Sequence, residues 1–111
     1  MVAMPFPYPR IAVHPGEHLA EAIAGRGVTA YKVAKACGVT QIQISRILHG
    51  KAGISPRLAH YLGRYFGTAA EFWANLQTAY ELAKAFDELG GADALEAVEA
   101  LPEPEPIAEV S

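Results

Sequence analysis

The chain has 111 residues, of which 51% are hydrophobic, and its formal net charge at pH 7 is −3. This length suits a single domain with its own apolar core, and the composition excludes a wholly disordered chain. No apolar run approaches the roughly 18 residues of a membrane helix, and a single cysteine, Cys37, excludes an internal disulfide. We therefore expect a cytoplasmic protein in which Cys37 is a small buried residue.

The charges are divided unevenly along the chain. Residues 1–66 carry eight basic and two acidic side chains, whereas residues 67–111 carry one basic and ten acidic side chains. A basic half favours a polyanionic partner, and an acidic half favours a basic partner or solubility. The alternative is a helical surface whose charge is asymmetric without a binding role.

Cap and turn residues predict the first two helices. Pro15 is typical of the first turn of a helix, and Gly25 and Gly27 predict its end. Thr29 is a suitable N-cap for the second helix, which we expect to end at Gly38.

The third predicted helix runs from about Gln41 to His49. Thr40 and Gln43 form a T-x-x-Q pattern, which is typical of a capping box. Apolar residues then follow at the spacing of one buried helical face, namely Ile44, Ile47 and Leu48.

The remaining elements are also predicted to be helical. Ser55 and Pro56 begin a fourth helix that Gly67 closes. Thr68 with Glu71 predicts another capping box and a long helix reaching about residue 89. Residues 92–101 predict one more short helix, and the proline-rich residues 102–106 predict an extended, mobile tail.

The two helices on either side of Gly38 form a helix-turn-helix pattern, because Gly38-Val39-Thr40 is a tight turn between short amphipathic helices. Glutamine can bond bidentately to adenine and arginine to guanine, and residues 41–51 contain no acid that a phosphate would repel. The predicted base-reading residues are Gln41, Gln43, Ser45 and Arg46. The predicted contacts to the DNA backbone are Thr29, Tyr31, Lys35, Thr40 and Lys51. The alternative is a pair of packed helices with a solvated polar face.

Several short stretches of residues 14–82 resemble the HigA/VapI type of antitoxin, within the Xre (Cro/C1-like) group. The matching stretches are HPGE at 14–17, KVAK at 32–35, GVT at 38–40, ISRILHGK at 44–51, ISP at 54–56 and FWANLQ at 72–77. The resemblance implies an all-α, five-helix Cro/C1-like (lambda-repressor-like) helix-turn-helix domain. It also implies a homodimer that binds palindromic double-stranded operator DNA, represses its own operon and neutralises an mRNA-cleaving HigB-type toxin.

An aromatic and aliphatic stripe lies in the long predicted helix, and it consists of Phe72, Trp73, Leu76 and Tyr80. We expect part of this stripe to pack on the core and part to pair with a second subunit. Such a dimer would place two recognition helices about 34–36 Å apart, one turn of DNA. Asn75 and Gln77 can bond across that interface or cap backbone groups, and the alternative is a role in the core or in contact with solvent.

We predict an N-terminal arm at 1–13, a DNA-binding and dimerisation domain at 14–89, and a short helical, acidic C-terminal extension at 90–111 whose last ten residues are mobile. The toxin-binding surface is left open between this acidic extension and the N-terminal segment with the first helix. Two rival functions share the fold: a stand-alone Xre-type repressor without a toxin, and a protein-binding domain that has lost DNA binding.

A zinc enzyme is the remaining alternative, because His14, Glu17 and His18 match the H-x-x-E-H string of certain zinc peptidases. That chemistry requires both histidines on a formed helix, whereas Pro15 and Gly16 place His14 at or before a helix start. We therefore expect His14 to be a helix cap, and we expect no enzymatic activity, metal, cofactor, small-molecule substrate or membrane contact.

Overall fold

The computed structural model describes residues 12–102 of the chain. Within that range the backbone forms helices and no strand, which confirms the predicted all-α class. The helices are α1 (Pro15–Arg26), α2 (Ala30–Cys37), α3 (Gln41–Leu48), α4 (Pro56–Phe66), α5 (Ala70–Glu88) and α6 (Ala92–Leu95). Most of the predicted N-terminal arm and nearly all of the predicted mobile tail lie outside the described residues.

Side-chain caps begin the first four helices, as the sequence predicts. The His14 ring nitrogen Nδ1 accepts a hydrogen bond from the Gly16 N–H at 2.9 Å. The hydroxyl oxygens of Thr29, Thr40 and Ser55 accept bonds of 3.0–3.1 Å from backbone N–H groups three residues ahead. Each bond satisfies a donor that the first turn of a helix leaves unpaired.

Two predicted helix boundaries are wrong. Gly25 lies inside α1, which continues to Arg26 and ends because Gly27 adopts a left-handed φ of 68°. The Thr68–Glu71 capping box is absent, since the residue that precedes α5 is Ala69, which has no side-chain acceptor. The Thr68 hydroxyl oxygen instead accepts a hydrogen bond at 3.0 Å from the indole N–H of Trp73, five residues ahead. This contact occupies the oxygen that the sequence pattern assigns to a helix cap.

The short C-terminal helix is also shorter than predicted. α6 spans four residues rather than the whole of 92–101. Beyond it Val98 is 72% and Leu101 89% exposed. A short helix is stable only if one of its faces is buried against the rest of the protein. Val98 and Leu101 are not buried, so they give the predicted helix no such face.

One apolar core joins α1 to α5. Its buried members are Leu19, Val33, Ala34, Cys37, Ile44, Ile47, Ile54, Leu58, Ala59, Leu62, Phe66 and Trp73. The predicted buried cysteine is confirmed, and burial raises the pKa of the Cys37 thiol. Through Ile44 and Ile47 the core holds α3 by one side only, which leaves its opposite side to solvent.

The start of α1 rests directly on the end of α3. Gly16 is buried, and a Cβ atom at that position would collide with the backbone carbonyl oxygen of Ile47. The ring of His14 lies at the same junction and packs edge-on against Tyr80 of α5, with 4.8 Å between ring centroids. The HPGE stretch thus supplies a cap and a close backbone approach.

We predict that Gly16→Ala destabilises the fold by about 1–3 kcal/mol, because the added methyl overpacks a backbone contact. Gly25→Ala is the matched control, since it lies in the same helix and its added methyl would have nothing within 4 Å. The control should raise stability by about 0.5–1 kcal/mol. Urea unfolding of both variants measures the difference, and equal stabilities would contradict the close approach.

Candidate nucleic-acid interface

A tight turn joins α2 to α3. Gly38 has a left-handed φ of 72°, which favours glycine, and the Val39 N–H donates to the Ala34 carbonyl at 3.0 Å. Ala34 is 3% exposed and belongs to the apolar core. The helix-turn-helix inferred from the sequence is therefore present as a packed unit.

The outward side of α3 carries the predicted base-reading residues. Gln41, Gln43 and Arg46 are exposed, and Ser45 is half-buried. At roughly 100° per residue, Gln41 and Gln43 lie on opposite flanks of this side. Ile42 lies between them at its centre and is 73% exposed. Ile42 is not among the residues predicted from the sequence, although the same helical spacing places it opposite Ile44 and Ile47.

The two flanks differ in their surroundings. Gln43 lines an open groove of about 400 Å³ between the turn and the start of α4, together with Ser55, Arg57 and Tyr61. The Arg57 Nε–H donates to the Tyr61 hydroxyl at 3.1 Å, and this bond raises the pKa of the guanidinium. Arg57 is an exposed cation next to a predicted reading residue. Apart from its charge, no sequence signal distinguished it.

The C-terminal end of α3 is held by polar contacts. The Arg46 guanidinium donates to the Lys51 carbonyl at 3.2 Å. The His49 Nδ1 atom lies 2.8 Å from the Ser45 carbonyl oxygen and 3.4 Å from its hydroxyl. Arg46 therefore has a structural partner as well as an exposed position.

The loop that follows α3 is anchored by α5. The Ile54 N–H donates to Gln77 Oε1 at 2.8 Å, and Gln77 Nε2 donates to Glu81 Oε2 at 2.8 Å. Of the roles left open for Gln77, the structure thus shows the capping of a backbone group. This bond fixes the loop that carries Lys51.

The predicted backbone-contact residues are all exposed, namely Thr29, Tyr31, Lys35, Thr40 and Lys51. The hydroxyls of Thr29 and Thr40 also cap their helices. Their contact with phosphate stays a prediction.

The predicted dimer residues occupy different environments. Trp73 is 1% exposed and packs against Phe66 and Phe72, with ring centroids 5.7 and 5.1 Å away. It is a core residue of the protomer, so the predicted contact with a second subunit does not hold for this side chain. Leu76 and Tyr80 are half-buried and Phe72 is exposed, and their role between subunits stays a prediction.

The H-x-x-E-H string does not lie on one helix. His14 precedes α1 and uses Nδ1 to cap it, as the sequence predicts, while Glu17 and His18 belong to the helix. Within residues 12–102 no three histidine, cysteine, aspartate or glutamate side chains come close enough together to hold a metal ion. None of the helices in the same range is both long and apolar enough to cross a membrane.

The chain is similar to several known proteins, although no family model matches it. Virulence-associated protein I of Dichelobacter nodosus is 43% identical over 72 residues, which are 64% of this chain and 67% of that protein. PA4674 of Pseudomonas aeruginosa, solved in complex with its 18-bp operator DNA, is 36% identical with a TM-score of 0.76, covering 82% of this chain and 98% of that one.

The third likeness is to an addiction module antidote protein of a HigA family from Coxiella burnetii. It is 34% identical with a TM-score of 0.72, and the match covers 83% of this chain and 98% of that one. Since the likeness extends over nearly the whole of that antidote protein, this chain belongs to the HigA family of antitoxins.

Proposed function

We propose that the chain is an antitoxin that binds operator DNA as a dimer and represses its own operon. The observation that carries the proposal is the outward side of α3, which is exposed and free of acids on a packed helix-turn-helix. The operator-bound structure of the similar PA4674 supports the same role for this fold.

In the proposed complex α3 enters the major groove with its N-terminal residues against the base edges. The Gln41 amide suits adenine N6 and N7, and the Arg46 guanidinium suits guanine O6 and N7. Gln43 and Ser45 complete the reading set. The phosphate contacts come from Thr29, Tyr31, Lys35, Thr40 and Lys51, and they fix the register of the helix without reading sequence.

For the dimer we propose that α5 meets its copy through Phe72, Leu76 and Tyr80, without Trp73. Phe72 is exposed beside the buried indole, so its ring has apolar surface left to cover. A two-fold dimer places both α3 helices on successive major grooves, about 34–36 Å apart. The corresponding operator is a palindrome.

We predict that Arg46→Ala weakens specific operator binding by about 1–3 kcal/mol and relaxes selection at one base position. Fluorescence anisotropy on the upstream DNA and on single-base operator variants measures both effects. Arg46→Lys keeps the charge but loses the bidentate geometry, so it should retain much of the affinity and lose the selection. Arg64→Ala, an exposed arginine on α4, is the control. Unchanged operator binding by Arg46→Ala would show that the reading residues are assigned incorrectly.

We predict that Lys51→Ala weakens binding to all DNA sequences alike, because a phosphate contact reads no base. The slope of log K against log salt concentration should fall by about one unit. Arg64→Ala removes the same charge from α4, away from the proposed phosphate contacts along the sequence, and should leave the slope unchanged. A sequence-selective loss in Lys51→Ala would contradict its assignment to the backbone.

The further part of the proposal is neutralisation of an mRNA-cleaving HigB-type toxin. It is supported by the HigA-family antidote protein that resembles this chain along nearly its whole length. Co-expression with the product of the adjacent gene should give a stable complex and restore growth that the toxin alone arrests. Operator binding without such a partner would instead favour the stand-alone repressor.

A further inference from the structure

Ile42 is the most exposed large hydrophobic side chain in any helix of residues 12–102, at 73%. It is the second residue of α3, and the core holds that helix from the opposite side through Ile44 and Ile47. Single apolar side chains are common on protein surfaces. This one lies at the centre of the side that the proposed function places against DNA.

The side chains next to Ile42 determine which part of the DNA it contacts in the proposed complex. Gln41 precedes it, and Arg46 lies one helical turn further along the same side. If these two side chains bond to base edges, the side chain between them loses its water against the same edges. Ile42 has no hydrogen-bonding group, so any polar base atom opposite it is stripped of water without compensation.

We infer that Ile42 contacts the 5-methyl group of a thymine and selects a T·A pair at one position of each half-site. The thymine methyl is the apolar feature that the major groove presents among its donors and acceptors. Opposite that methyl, two apolar groups leave water together. Opposite a polar edge, the same side chain disfavours binding, so Ile42 selects by both attraction and exclusion.

This inference rests on the proposed operator binding, and a thymine-to-uracil scan tests it separately. Deoxyuridine removes the methyl and keeps the pairing and hydrogen-bonding groups of thymine. On the footprinted upstream operator, one substitution in a single half-site should weaken the wild-type protein about fourfold, the effect expected for one buried carbon group. Ile42→Ala should bind the thymine operator more weakly by at least this factor and lose nothing further on the uracil operator.

Two variants serve as controls. Ile42→Val keeps branched methyl groups and should retain sensitivity to uracil. Val98→Ala truncates a side chain of nearly equal exposure, 72%, outside the helix-turn-helix and should bind both operators as the wild type does. Circular dichroism should show unchanged folding for Ile42→Ala, because the side chain is not part of the core.

Three results would overturn the inference. The first is a scan in which no thymine shows a loss that depends on Ile42. The second is an Ile42→Ala variant that binds the operator normally but binds the co-expressed toxin weakly, which would assign the side chain to a protein interface. The third is a folded wild-type protein that forms no specific complex with its upstream DNA, which would refute the proposed function itself.

Discussion

The approach of Gly16 to the Ile47 carbonyl is the contact on which the position of α3 depends. The outward side chains of a helix keep a fixed position only if its inward side is held firmly against the core. Here Ile44 and Ile47 enter the core, while the backbone at the end of α3 meets the first turn of α1 with no side chain between them. Since close-packed interiors transmit strain, a displacement at Gly16 would move the outward residues as well.

Side chains from α5 reinforce the same end of α3. Gln77 accepts the Ile54 N–H, and Tyr80 packs against the ring of His14. Arg46 adds a bond from α3 to the Lys51 carbonyl. The helix proposed to join two subunits is thus also a support of the DNA-binding unit, and the FWANLQ stretch combines a core tryptophan with a loop anchor.

The sequence predicts the helix starts well because Thr29, Thr40 and Ser55 act locally, on N–H groups three residues away. It fails where another side chain competes for the capping oxygen: the indole of Trp73, five residues ahead, donates to Thr68. That indole lies in the core instead of facing a second subunit. The outward residues of α3 predicted to read bases were chosen because their side chains can form hydrogen bonds. Ile42 cannot form them, so it was not predicted. Helical spacing alone places Ile42 at the centre of that side.

The uneven distribution of charge along the chain favours one orientation of the protein relative to a polyanion. All acidic side chains of α5 and of residues 89–102 are exposed, whereas residues 41–51 contain no acid. A polyanion is attracted at one part of the molecule and repelled at another, so long-range forces orient the protein before any base is contacted. In the proposed complex, short-range selection then falls to Gln41, Ile42 and Arg46, whose amide, methyl and guanidinium groups match different features of the major groove. In the proposed complex the phosphate-contacting side chains therefore contribute affinity without selection, whereas the base-reading side chains contribute to both.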